Sequence, residues 1–163
     1  GILTISKWTQ SILVKQGFAP ETIAIARPAL SPDYSNLPPP APKMPNPALR
    51  LLTVSRLAME ERYKGQDHVL EALALVRKRQ PELKVEYTIQ GEGSDLPRLQ
   101  QLVQNHGLQD FVTFKPSVKN REELQSLYRS HDLFIMPSRF GKWGGNWRGE
   151  GYGIVYTEAA ACG

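Results

Sequence analysis

A single cysteine among 163 residues, Cys162, leaves no internal disulfide to form and favours a reducing compartment. With no catalytic partner at hand, it reads as a small buried side chain and not as a nucleophile. The three histidines, His68, His106 and His131, stand at a helix start, near a helix end and before a strand, without metal-ligand spacing. No metal centre is expected. No apolar run approaches the ~20 residues that span a bilayer, and no charged-then-apolar leader opens the chain. The expected location is the cytoplasm, with peripheral contact at the inner membrane face left open. Long basic runs are missing as well. The net charge of +4, from 20 basic and 16 acidic residues, suits anionic ligands. Its densest cluster, Arg77-Lys78-Arg79, closes a predicted helix and complements the dipole there, so nucleic acid is not an expected partner. The chain also lacks an initiator methionine and stops abruptly at Cys162-Gly163, which points to a fragment of a longer protein.

What is present suits one globular core, with 40% apolar and 22% charged residues. Ile2 to Ser6 reads as a short strand and Lys7 to Gln16 as a helix carrying Trp8, Ile12 and Leu13 on one side. Gly17 ends that helix, and a second apolar stretch runs on through Ile25. Between Pro28 and Pro47 the composition shifts, for eight of the 13 prolines fall there. Proline fixes φ and removes a donor, so residues 28–47 are expected as an extended connector without an element of their own. A ligand for a proline-binding module is the rival view of that segment.

Beyond the connector the pattern alternates. Leu51–Ser55 is a predicted strand, Gln66–Gln80 a helix with Val69, Leu70, Leu73 and Val76 at helical spacing, and Lys84–Gln90 a strand. Asp95–His106 is expected as a helix capped by Ser94, with Pro97 in its first turn and Gly107 closing it. Phe111–Phe114 comes next as a strand. Asn120 to Glu123 resembles a capping box ahead of the apolar face formed by Leu124, Leu127 and Tyr128. Asp132–Met136 is the last predicted strand. Such alternation argues for an α/β fold, a Rossmann-like parallel sheet with helices on both faces.

In sheets of this kind ligands gather outside the carboxyl ends of the strands. After those ends come Ser55-Arg56-Leu57, Gln90-Gly91-Glu92-Gly93, Lys115-Pro116-Ser117-Val118, and Pro137-Ser138-Arg139. Arg56 and Lys64 stand eight apart across a loop, a planar fork and a point charge suited to a diphosphate. The final stretch, Glu150-Gly151-Tyr152-Gly153-Ile154-Val155-Tyr156-Thr157-Glu158, places a glycine turn ahead of a helix starting near Ile154. Free N–H groups at that helix start would seat an anion between two carboxylates. Hydroxyl acceptors on either side of an anion seat suit a nucleotide-sugar. The loop Arg139–Gly149, with two tryptophans and two arginines, either clamps a sugar or acceptor face or packs beneath itself.

Glu150 to Glu158, together with Met136-Pro137-Ser138-Arg139, resembles the paired-glutamate signature of family 4 retaining glycosyltransferases of the GT-B fold. The likeness is greatest to bacterial mannosyltransferase members. It covers Leu51 to Gly163 well and residues 1–30 loosely, where Pro28-Ala29-Leu30 replaces a glycine-containing, aspartate-ended turn. The resemblance implies that residues 1–27 are a remnant of an N-terminal Rossmann-like domain, 28–47 the interdomain linker, and 48–163 an incomplete donor-binding domain. It implies catalytic roles for Arg56 and Lys64, which neutralise the donor diphosphate, and for Glu150, which positions the transferred sugar. Glu158 would take the ribose hydroxyls. Gly91 and Gly93 would shape the nucleotide pocket, and Val118 would lie beside the base. Backbone groups of Gly151, Tyr152, Gly153, Ile154 and Val155 would hold sugar hydroxyls and phosphate. The donor would be a nucleoside-diphosphate sugar, no metal or other cofactor would be needed, and the acceptor would be a glycan or lipid-linked group. A fragment without its acceptor domain would not turn over. Two other classes are a non-catalytic nucleotide-binding module on the same fold and a basic protein-interaction or nucleic-acid module using the tryptophan and arginine loop and the proline segment.

Overall fold

Two short parallel strands, β1 (Ile2–Thr4) and β2 (Ile23–Ile25), flank helix α1 (Lys7–Lys15) at the start of the computed structural model, which describes residues 1–40, 42, 47–143 and 145–163. Ser6 caps α1 from an extended conformation, its Oγ accepting from the Thr9 amide at 3.1 Å. No residue of α1 is buried. Its apolar side, with Trp8 45% exposed, meets Phe140 edge-on at 4.8 Å rather than a core.

The connector departs from expectation. Pro32–Ser35 forms a one-turn helix, α2, begun by Pro32 and Asp33 at positions where a missing N–H and an acidic charge both favour a helix start. Tyr34 sends its ring into the main body and is 3% exposed. Asp33 pairs with Arg121, its backbone carbonyl accepts from Gln125 Nε2 at 3.0 Å, and the Pro38 carbonyl accepts from Arg129 at 3.0 Å. Proline-rich composition predicts stiffness, but one aromatic residue with a pocket to fill outweighs it. Residues 41 and 43–46 of the connector lie outside the described residues.

The main sheet holds β3 (Ala48–Val54), β4 (Lys84–Gln90), β5 (Val112–Lys115) and β6 (Leu133–Phe134), all parallel, in the order β5-β4-β3-β6. Between them run α3 (Gln66–Arg79), α4 (Leu96–Asn105) and α5 (Arg121–Arg129). A hairpin of β7 (Gly141–Trp143) and β8 (Asn146–Arg148) precedes α6 (Ile154–Cys162). Alternation along β3 divides the interior. Leu51 joins Val69, Leu70, Leu73, Leu99 and Val103 under α3 and α4. Leu52 points the other way, to Tyr34, Tyr128 and Cys162 under α2, α5 and α6. Helices therefore cover both faces, as the sequence pattern predicts, and Cys162 is fully buried.

Two local expectations change. Ser94 is not the cap of α4: its Oγ accepts from the Met59 amide at 3.1 Å, and Asp95 occupies the cap position. Asp95 is 3% exposed and receives Arg62 at 2.7 Å and Arg98 at 2.6 Å, so its carboxylate is held by two guanidinium groups. The strand predicted over Asp132–Met136 is in register with β3 at Leu133 and Phe134, and its backbone bonds to β3 extend one residue either way, from Asp132 N to the Arg50 carbonyl and from Ile135 N to the Leu52 carbonyl, both at 2.8 Å. The Asp132 carboxylate also chelates Arg50, accepting from its amide at 2.9 Å and its guanidinium at 3.0 Å.

The Tyr34 hydroxyl is buried and has no hydrogen-bond partner among the described residues. Tyr34→Phe removes that unpaired group while keeping the ring. Stability is expected to hold or rise by up to about 1 kcal/mol in urea unfolding, and a comparable loss would show that the hydroxyl is bonded.

Candidate functional site

The order β5-β4-β3-β6 reverses direction between β3 and β6, so the loops leaving these two strands part and open a crevice at their carboxyl ends. Glycines set its floor. The Gly91-Glu92-Gly93 turn lies against the loop leaving β3, where Leu57 N donates to the Glu92 carbonyl at 2.8 Å and Asp95 N to the Leu57 carbonyl at 2.7 Å. Gly91 N reaches the Lys115 carbonyl at 2.9 Å, tying in the third loop.

Above this floor, Arg56, Gly91, Val118 and Val155 line one concavity of about 180 Å³, together with Ser55 and Ser117. Four residues singled out from the sequence thus meet in one place. Through Gln90, Ser117 and Val118 the space continues into a wider groove of about 800 Å³ along Lys115–Asn120 and the Glu123–Ser130 side of α5. Asn120 starts α5 as anticipated, its Oδ1 accepting from the Glu123 amide at 2.8 Å. Gln90 is held by the Pro116 carbonyl and is 2% exposed.

The cations are arranged differently from one another. Residues 59–64 form a 3-10 helix that carries Glu61 inward, and the Glu61 carboxylate accepts from Lys64 Nζ at 2.7 Å on one oxygen and from Arg56 on the other. Arg56 remains 79% exposed at its side chain, whereas Lys64 is only 10% exposed. Arg56 therefore faces the crevice and Lys64 backs it. Gly65 takes φ +81° at the end of this turn, where a Cβ would stand 2.5 Å from the Pro137 carbonyl oxygen. Sequence reasoning misses Glu61. Its one signal is the i,i+3 spacing to Lys64 on a helical turn.

Gly153 takes φ +74° and opens α6, and its carbonyl accepts from Tyr156 N at 3.0 Å. The Ile154 and Val155 amides are first-turn donors without intrahelical acceptors. Tyr156, which donates to the Met136 carbonyl and packs edge-on against Phe134 at 5.4 Å, pins the helix start to the end of β6. Glu158 rides the first turns of α6 and accepts from Tyr128 OH at 3.2 Å. Glu150 stays in the preceding loop, half-buried and without an ion pair among the described residues. Gly151 touches Ile5, whose Cδ1 lies 3.0 Å from where a Cβ would stand, and Tyr152 is half-buried beside it. Gly93 packs against the loop leaving β3, where a Cβ would stand 2.3 Å from the Leu57 carbonyl oxygen.

The Arg139–Gly149 loop divides in two. Arg139 donates its amide to the Tyr63 carbonyl at 2.7 Å, approaches Asp67 at 3.8 Å and lies over the Trp143 ring at 5.0 Å. That half packs inward. Phe140 and Trp147 face outward, stacked at 5.1 Å. Gly144 lies outside the described residues.

Burial raises the Glu158 pKa above its ordinary 4.5, against the Tyr128 hydrogen bond that lowers it. A carboxyl with a raised folded pKa contributes stability that is full below the unfolded value and lost as pH rises through the folded one. Glu158→Gln is therefore expected to be more stable than the parent at neutral pH, with the difference closing as pH falls toward 4.5, in denaturant titrations at several pH values. A constant difference across that window would contradict the burial effect.

A family model described as glycosyl transferases group 1 matches residues 41–163. The chain is 37% identical over 105 residues to a D-inositol 3-phosphate glycosyltransferase of Paenarthrobacter aurescens, covering 63% of this chain and 23% of that protein. It is 38% identical over 100 residues to a GDP-mannose-dependent alpha-(1-6)-phosphatidylinositol monomannoside mannosyltransferase of Mycolicibacterium smegmatis, covering 61% and 25%. The chain thus spans about a quarter of the length of these relatives. Among solved structures, WaaG, a glycosyltransferase involved in lipopolysaccharide biosynthesis, superposes with a TM-score of 0.72 at 21% identity, over 98% of this chain and 41% of that one.

Proposed function

Because the chain belongs to the group 1 glycosyl transferases, we propose that it forms the donor-binding part of a family 4 enzyme of the GT-B type. Such an enzyme moves a sugar from a nucleoside diphosphate to an acceptor and keeps the anomeric configuration. One observation carries the proposal: Arg56, Gly91, Val118 and Val155 surround a single crevice at the reversal point of the sheet.

The parts fit a nucleotide-sugar laid along the crevice. Its base enters the groove beside Val118, between the Lys115–Lys119 segment and α5. Glu158 accepts from the ribose hydroxyls. The Ile154 and Val155 amides at the start of α6 face the diphosphate, and Glu150, on the opposite side of the glycine turn, holds hydroxyls of the transferred sugar. When the sugar–phosphate bond breaks, negative charge grows on the departing diphosphate. Arg56 meets that charge directly, and Lys64 supports it from behind through Glu61, so the fixed charges of the protein stabilise the leaving group. No metal enters this scheme. The acceptor is proposed to be a glycan or lipid-linked sugar, brought by parts of a longer protein.

Calorimetric titration with UDP, GDP and ADP tests the proposal. One nucleoside diphosphate is expected to bind, and Glu158→Ala to weaken it by about 10- to 100-fold, the value of hydrogen bonds to a charged acceptor. If none of the three binds to the folded chain, the donor-site assignment fails.

A further inference from the structure

Strand β5 stops at Lys115 because Pro116 has no N–H to continue the ladder with β4. Two bonds carry the attachment one residue beyond the strand. Gly91 N donates to the Lys115 carbonyl at 2.9 Å, and the Gln90 side chain donates from Nε2 to the Pro116 carbonyl. The next fixed point is Asn120, whose Oδ1 accepts from the Glu123 amide at 2.8 Å. Ser117, Val118 and Lys119 bridge these two anchors. The amides and carbonyls of Ser117 and Val118 make no backbone hydrogen bond among the described residues. Both residues line the concavity of about 180 Å³ and the groove of about 800 Å³.

Gln90 is the third residue that borders both spaces. It stands at the carboxyl end of β4 and is 2% exposed. Burying an amide costs free energy unless it is bonded, and an apolar side chain of the same length would fill the position without that cost. What the amide adds is its hold on Pro116. The residue is itself fixed, since its carbonyl accepts from Ser55 N at 3.0 Å. The Gln90 side chain thus sets where the Ser117–Val118 segment leaves the sheet, and with it the placement of the unpaired backbone groups beside the groove. Adjacent N–H and C=O groups suit the edge of a nucleotide base, where donors and acceptors stand side by side.

Resting on the donor-site reading above, we propose that Gln90 is a positioning residue for base recognition. It holds the Pro116 carbonyl so that Ser117 and Val118 present their backbone groups to the base of the nucleotide-sugar. Affinity for the base therefore depends on Gln90. Affinity for the diphosphate, which rests on Arg56 and the start of α6, does not.

Calorimetry on the whole chain tests this with UDP, GDP and ADP, and with inorganic pyrophosphate as a displacing ligand at millimolar concentration. Gln90→Met keeps the length of the side chain but cannot donate. The nucleoside diphosphate that binds the parent is expected to bind this variant about tenfold more weakly, while pyrophosphate binds both alike. Gln90→Glu supplies a rescue. Its buried carboxyl, protonated at about pH 5, can donate to the Pro116 carbonyl as the amide does, and at about pH 8 it cannot. The affinity of Gln90→Glu relative to the parent should therefore recover at the lower pH, and this ratio decides alone if Gln90→Met does not fold. An unchanged nucleoside diphosphate affinity in Gln90→Met overturns the proposal and leaves the donor site standing. So does an equal loss for pyrophosphate, or a Gln90→Glu ratio that does not change with pH. If none of the nucleoside diphosphates binds the folded parent, the donor-site reading fails and this proposal falls with it.

Discussion

Gly91→Ala is expected to cost the chain its fold, or at least about 4 kcal/mol of stability, the range of severe single substitutions. A Cβ at this position would stand 1.8 Å from the Ser55 carbonyl oxygen, and 3.0 Å from its carbon. Both atoms are backbone, so no side chain can swing aside. The residue also takes φ +147°, which an L side chain rarely adopts. To admit the methyl group, the β3 and β4 loops must separate. Ser55 N to the Gln90 carbonyl at 3.0 Å and Leu57 N to the Glu92 carbonyl at 2.8 Å would then be lost, and their groups stranded near the core. Gly107→Ala is the control. It too has a positive φ, +63°, but nothing lies within 4 Å of its Cβ, so only the strain of about 1–2 kcal/mol applies. Thermal unfolding of both variants checks the contrast. Similar losses in the two would show that the close approach at Gly91 is relieved by backbone movement.

Lys64→Ala is expected to reduce both stability and turnover, for separable reasons. Lys64 and Glu61 are nearly buried, with side-chain exposures of 10% and 9%. Removing the ammonium leaves a carboxylate shielded from water with, among the described residues, only the exposed Arg56 for a partner. Breaking a buried pair in this way costs about 3–5 kcal/mol. On the proposed donor-site reading, a longer enzyme that loses this cation behind the departing diphosphate should lose about 10²- to 10³-fold in kcat. The two effects part in Glu61→Gln/Lys64→Met, where a neutral amide faces an apolar chain of similar length. Stability should return in the double variant, and turnover should not. Recovery of kcat together with stability would reduce Lys64 to a structural counter-ion.

Much of the fold is legible because its signals are local and periodic. Strand and helix alternate from Leu51 onward, Asn120 announces α5, and Pro97 and Gly107 bracket α4. The loops after the strand ends suffice to bring Arg56, Gly91, Val118 and Val155 together, since a parallel sheet sends all its carboxyl ends to one edge. The features that escape depend on contacts distant in sequence. Glu61 sits in a short 3-10 turn with no apolar repeat, and only the folded loop shows that its two oxygens take Arg56 and Lys64. Ser94 has the chemistry of a cap, but Met59 claims its hydroxyl and Asp95 takes its place. Two tryptophan-bearing triplets around a Gly-Gly pair do carry a hairpin signal, which the density of glycines disguises as loop. Tyr34 is the clearest case: amid prolines nothing local foretells burial, and its pocket is built by Leu52, Tyr128 and Cys162 from three other parts of the chain.

The docking of α2 sets a length scale for motion. As a free tether, the twenty or so residues from Pro28 to Pro47 could extend to about 70 Å. Tyr34 in its pocket and the bonds from Arg121, Gln125 and Arg129 pin that tether near its start. About six residues then separate the end of β2 from the first pinned position, and they reach no farther than about 20 Å. Whenever α1 parts from the hairpin, a leash this short keeps it at an effective concentration of millimolar order. Return of Trp8 to Phe140 would consequently be a short local search.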